Sequence, residues 1–111
     1  NVLEGRIEKG VVYIGDEAIG KKDIADGEYD IGIRPEDFKV DQKGMKITPN
    51  FVSHIGRDTM IGFDLGEKEI RALVDSDSVA DIKSLKLAVR SDKIHVFCKD
   101  SGNVVLERSE G

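Results

Sequence analysis

Tryptophan is absent from the 111 residues, aromatic surface is limited to four phenylalanines and two tyrosines, and there is one cysteine. Each shortage excludes something. Single-strand nucleic-acid binding needs stacking platforms in a basic groove. Here aromatics are scarce, and seventeen basic against twenty-two acidic residues leave a formal charge of −5. That balance repels a phosphate backbone, so nucleic acid is not expected as a partner. A lone thiol, Cys98, cannot close an internal disulfide and fits a reducing compartment, which makes the cytoplasm the expected location. No stretch approaches the roughly 20 apolar residues that span a bilayer as a helix. The sequence begins at Asn1 with neither an initiator Met nor a basic-then-apolar segment, so the chain is expected to be a processed or excised piece.

What is present is a β pattern. Short runs rich in branched and aromatic residues are punctuated by glycine, and no long segment keeps a helical period. Strands are expected near Leu3–Glu8, Val11–Ile14, Tyr29–Ile33, Lys46–His54, Thr59–Leu65, Glu69–Val74, Leu85–Arg90, Ile94–Cys98 and Val104–Leu106. Thr59, Ile61, Phe63 and Leu65 fall on one face, as do Ile70, Ala72 and Val74, and Leu85, Leu87 and Val89. Gly56-Arg57-Asp58, Gly66-Glu67-Lys68 and Ser91-Asp92-Lys93 read as hairpin connections, giving a meander in the second half. Pro49 cannot donate to a ladder and marks an edge or a bulge. In "DSDSVADIKS" at most one helical turn is expected, capped by Ser76 or Asp77. The fold class is all-β, a barrel or sandwich. Residues 1–111 form one expected domain, in which 1–6 and 107–111 are linker and tail.

Several motifs approach a known chemistry and stop short. "GDEAIGKK", Gly15 to Lys22, nearly matches a phosphate loop, but Lys22 stands where a hydroxyl would ligate magnesium and no helix follows. An exposed polar loop is expected instead. "DSDSVAD" begins like a calcium loop, with Asp75, Asp77 and Asp81. Val79 then replaces a ligand, Ala80 the turn glycine and Lys86 the bidentate glutamate. His95 and Cys98 face opposite sides of one strand, and His54 is the other histidine, so no metal set is expected. The ordinary reading is a half-buried imidazole and a core thiol. No nucleophile elbow is present, and no catalytic residue is assigned.

The segment "DIGIRPEDF", Asp30 to Phe38, carries more information. Tyr29, Ile31 and Ile33 alternate inward, then Pro35 fixes Arg34 as extended and removes a donor, so the strand leaves its sheet. Arg34 and Glu36 flank the bend as a local ion pair or as a contact surface, and Phe38 returns to the core.

These residues also resemble a family. "IGIRPEDF" is similar to the Gly-Ile-Arg-Pro-Glu signature (Gly32, Ile33, Arg34, Pro35, Glu36) of the C-terminal regulatory region of ATP-binding subunits of bacterial and archaeal ABC importers. The maltose and glycerol-phosphate type is the nearest. "FVSHIGRDTMIGFDLG", Phe51 to Gly66, resembles that region's strand, turn and strand, with Gly56 at the turn. "IHVFCKDSGNVV", Ile94 to Val105, resembles its closing run, with His95, Phe97 and Gly102 in matching places. "NVLEGRI" looks like the segment that joins the nucleotide-binding domain to this region.

The resemblance implies a transport-associated oligonucleotide-binding-type (TOBE) barrel elaborated with additional strands. It implies a regulatory and dimerising role behind an importer ATPase for a sugar or sugar phosphate, at the inner face of the plasma membrane. The chain itself would hold no cofactor and would not hydrolyse ATP, because ATP and magnesium belong to an upstream nucleotide-binding domain. Expected partners are that domain, a second copy, transmembrane permease subunits and a regulatory protein or small solute. The contact candidates are Arg34, Glu36, Arg57 and Asp58. An alternative is a barrel that binds an oxyanion or small metabolite.

Overall fold

Ten strands account for most of the computed structural model, which describes residues 1–79 and 81–107. They are β1 (Val2–Glu8), β2 (Val11–Ile14), β3 (Glu17–Lys21), β4 (Gly27–Gly32), β5 (Phe38–Lys46), β6 (Pro49–Ile55), β7 (Asp58–Leu65), β8 (Lys68–Asp75), β9 (Lys86–Val89) and β10 (His95–Phe97). Three antiparallel sheets result, in the orders β10-β4-β1-β2-β3, β5-β9 and β6-β7-β8. Helical structure among the described residues is confined to four single 3₁₀ turns.

The alternation read from the sequence is the alternation of burial. Thr59, Ile61, Phe63 and Leu65 of β7 face inward with Ile70, Ala72 and Val74 of β8 and Leu85, Leu87 and Val89 beside them. They join Leu3, Ile7, Ile31, Ile33 and Val96 in one core shared by all three sheets. Phe38 meets Phe63 edge to face with centroids 5.8 Å apart, tying β5 to β7. β3 lies beside β9, and β5 beside β8. The sheets thus curl around one interior, an all-β arrangement consistent with an OB-type barrel.

The hairpins at Gly56-Arg57 and Gly66-Glu67 each place glycine first in a two-residue turn, with φ of 62° and 65°. That left-handed conformation suits the twist of the flanking strands and disfavours a side chain. Pro49 behaves as its missing donor requires: it opens the outer strand β6, and the register slips between Pro49 and Phe51.

Other expectations need correction. Residues 1–6, expected as linker, include most of β1, which is paired on both sides and buries Leu3. At the other end, residues 108–111 lie outside the described residues, while Glu107 accepts the Asp23 backbone N–H at 3.1 Å. "GDEAIGKK" is a turn followed by strand β3, whose single buried residue, Ile19, is too weak a signal for a period of two. β5 escaped notice because Asp41 to Gly44 bulge outward, so that Val40 and Met45 both oppose Leu87. The single strand expected over Lys46–His54 is divided between β5 and β6.

Ser91-Asp92-Lys93 is a 3₁₀ turn rather than a hairpin, because β9 pairs with β5 and β10 with β4. "DSDSVADIKS" carries two 3₁₀ turns, capped by Asp75 and Asp81 instead of Ser76 or Asp77. Asp75 accepts from the Asp77 N–H and Asp81 from the Lys83 N–H. The Val104–Leu106 strand reduces to a single bridge between Phe97 and Val104.

Candidate functional site

The Arg-Pro-Glu corner follows directly from the end of β4. Gly32 lies between Val2 of β1 and His95 of β10. A side chain there would place its Cβ 2.8 Å from Cε2 of Phe97, so glycine lets the Phe97 ring lie across the strand. Ile33 is buried and donates its N–H to the Asn1 carbonyl at 2.9 Å. Arg34 is extended (φ −78°, ψ 146°), as the following proline demands, and caps the 3₁₀ turn Pro35–Asp37. Its carbonyl accepts from the Asp37 N–H at 3.0 Å.

The ion pair expected between Arg34 and Glu36 is not among those formed by the described residues. Arg34 precedes the turn in extended geometry and Glu36 lies inside it. Both are exposed. Phe38 returns to the core as expected, 3% exposed.

Glu36 and Asp58 come together in one open groove of about 420 Å³ between the corner, β5 and β8. Val40 and Leu73, both half-buried, contribute apolar surface, and Asp75 adds a third carboxylate against one cation, Lys39. Asp58 stands directly opposite Asp75 in the β7–β8 register, an arrangement that like charges destabilise. Arg57 occupies the adjoining exposed turn, where its carbonyl accepts from the Ser76 N–H at 2.8 Å. Beneath it Thr59, fully buried, shares its hydroxyl with Ser76 Oγ at 2.7 Å and His54 Nδ1 at 3.2 Å. A second fastening joins Asn1 to Arg71. The Asn1 carboxamide donates to the Arg71 carbonyl at 2.8 Å and accepts from its N–H at 3.1 Å. Seventy positions separate the two, and no local pattern announces the contact.

The remaining signature residues are positional. Gly56 and Gly102 occupy turns with φ of 62° and 73°. Gly102 donates its N–H to the Cys98 carbonyl at 2.8 Å. His95 is exposed rather than half-buried, and Cys98 is half-buried rather than a core thiol, because it begins the turn that leaves β10. Hydrogen bonds from the Ser101 backbone, then from the Ser101 hydroxyl and the Asp100 backbone, hold the Cys98 thiol below its ordinary range. Among the described residues no group of three or more histidines, cysteines or carboxylates is placed to hold a metal ion. No described helix is long and apolar enough to cross a membrane.

Fold and corner together define an all-β module that presents Arg34 and Glu36 to solvent. No protein-family model matches the chain. It is 27% identical over 106 residues to the sn-glycerol-3-phosphate import ATP-binding protein UgpC of Jannaschia sp. (strain CCS1), a match covering 92% of this chain and 30% of that protein. The chain therefore spans less than a third of that relative's length.

Proposed function

We propose that the chain is the C-terminal regulatory and dimerising TOBE domain of the ATP-binding subunit of an ABC importer for a sugar or sugar phosphate. The observation that carries this reading is the similarity to an importer ATP-binding protein along 92% of the chain. The Gly-Ile-Arg-Pro-Glu corner, which lies within that match, supports it as well. In this reading ATP and magnesium act in an upstream nucleotide-binding domain, and permease subunits are met through the full-length protein at the inner membrane face. Arg34, Glu36, Arg57 and Asp58 are contact residues that bias the two ATPase halves between open and closed arrangements. A regulatory protein or solute would act by binding one arrangement better, since only differential affinity moves such an equilibrium.

The alternative, an oxyanion-binding barrel, has less support from charge. A cleft of about 470 Å³ beside β1 presents Glu4, Asp30 and Glu67 against Lys68, and three carboxylates repel an anion. Sequencing the source gene upstream of Asn1 tests the proposal. A phosphate loop and ABC signature in the same frame are the expected result. A start codon at or just before Asn1 would overturn it.

A further inference from the structure

Strand β6 is an unusual edge. Each other outer strand is approached by a neighbour: β8 takes the Asn1 carboxamide, β10 the Val105 N–H on the Val96 carbonyl, and the Lys21 N–H of β3 reaches Ser91 Oγ. β9 lies beside β3 and β5 beside β8. β6 pairs with β7 alone in its sheet. Ile55 and Asp58 flank a two-residue turn, which makes them a hydrogen-bonded pair, and antiparallel alternation then aims the N–H and C=O of Val52 and His54 away from β7. Among the described residues no hydrogen bond to those outward groups is formed.

Proteins usually blunt such an edge with lysine, proline or a bulge. β6 has its proline and bulge at its start, which leaves Phe51–Ile55 regular. That run contains no charged residue in a chain that is 35% charged, and it ends on Ile55, 56% exposed.

We infer that β6 is a self-association edge, on which β6 of a second copy adds antiparallel with the two-fold axis at Ser53. This register satisfies several requirements at once. Val52 of each copy faces His54 of the other, so that the outward groups exchange both ladder bonds. Phe51, already lying over Gly62, meets Ile55 of the second copy on the outer face and covers its exposed side chain. No like charges oppose one another, whereas charged edges would repel across a two-fold axis. The inference deepens the proposed function by naming the strand through which two copies meet, and it rests on that reading for its biological setting.

A strand pair this short buries less than the roughly 1,200 Å² of a stable interface, so the free chain associates weakly. Tethering to paired ATPase halves would raise its effective concentration. The test is sedimentation equilibrium of the 111-residue chain across a concentration series, with Ser53→Lys and Ser53→Cys variants, the latter in a Cys98→Ser background. The expected result is a concentration-dependent species of twice the 12.2 kDa chain mass, weakened about tenfold or more by Ser53→Lys, where like charges meet at the axis. Ser53→Cys should form an intermolecular disulfide under mild oxidation, because directly opposed residues of a non-hydrogen-bonded pair lie within bridging distance. Circular dichroism of both variants separates misfolding from lost pairing. Two results overturn the inference: a chain that stays monomeric at every concentration, or a dimer that is indifferent to Ser53→Lys and does not cross-link in the Ser53→Cys variant. Neither outcome touches the upstream gene test, and a start codon at Asn1 would leave this result intact.

Discussion

The carboxamide of Asn1 takes the place of a strand beside Arg71, donating to its carbonyl at 2.8 Å and accepting from its N–H at 3.1 Å. In β8, Arg71 stands opposite Gly62 of β7, and its backbone groups point the other way, where one side chain satisfies both. Asn1→Ala should remove both bonds and destabilise the chain by about 1 kcal/mol, at the lower end for two such bonds because the site is solvent-accessible. Asn1→Asp, which keeps the acceptor and loses the donor, should fall between. Urea unfolding measures this, and an unchanged midpoint for Asn1→Ala would show that water replaces the clamp without loss.

Gly32→Ala places a methyl 2.8 Å from the Phe97 ring. Overpacking of this kind costs about 1–3 kcal/mol, and Phe97→Ala in the same chain should relieve part of the clash. A double-mutant cycle reads the coupling; strictly additive effects would mean that the ring and the glycine are independent.

Arg34→Ala should leave thermal stability within about 0.5 kcal/mol, since the guanidinium makes no described ion pair and surface changes away from such features are small. Pro35→Ala should destabilise by about 0.4–1 kcal/mol through greater freedom of the unfolded chain. A large loss of melting temperature for Arg34→Ala would restore the structural reading of the corner and weaken the case for contact.

Thr59→Val removes the hydroxyl shared by Ser76 and His54 from a fully buried position. The expected loss is about 1–3 kcal/mol, because burial makes an abandoned hydrogen-bond partner expensive. Calorimetric melting is the measurement, and a neutral result would mean that Ser76 and His54 find water.

The Asp23 backbone N–H, then the Lys22 charge, hold the Glu107 carboxyl below the usual carboxylate range. A depressed folded pKa means that the stabilisation is present above the unfolded value and is lost as pH falls through the folded one. Hydrogen exchange at the Asp23 amide should therefore accelerate below the ordinary carboxylate range. Glu107→Gln should flatten that dependence, and an identical pH profile in the variant would disprove the tether.

Legibility followed locality. β7 and β8 could be read because each inward residue repeats every second position, and every one of them is buried. β3 and β5 could not, the first because it buries a single side chain and the second because Asp41 to Gly44 break its period. Sheet membership was hidden as well: β9 and β10 are successive in sequence, yet their partners were chosen by the whole core. At the corner, Pro35 announced the stop and the extended Arg34. The meeting of Glu36 with Asp58 in one groove depends on packing between distant segments.

Asn1 bonds through its backbone to Ile33 and through its side chain to Arg71. Any segment attached ahead of it would therefore pull on two sheets at once. Because β1 pairs with β4 from Val2 to Ile7 and with β2 from Arg6 to Glu8, tension along its axis loads those ladders in shear, all rungs together, rather than unzipping them one by one. The entry point is thus mechanically stiff, and motion arriving there would turn the barrel as a whole before it could peel a strand away.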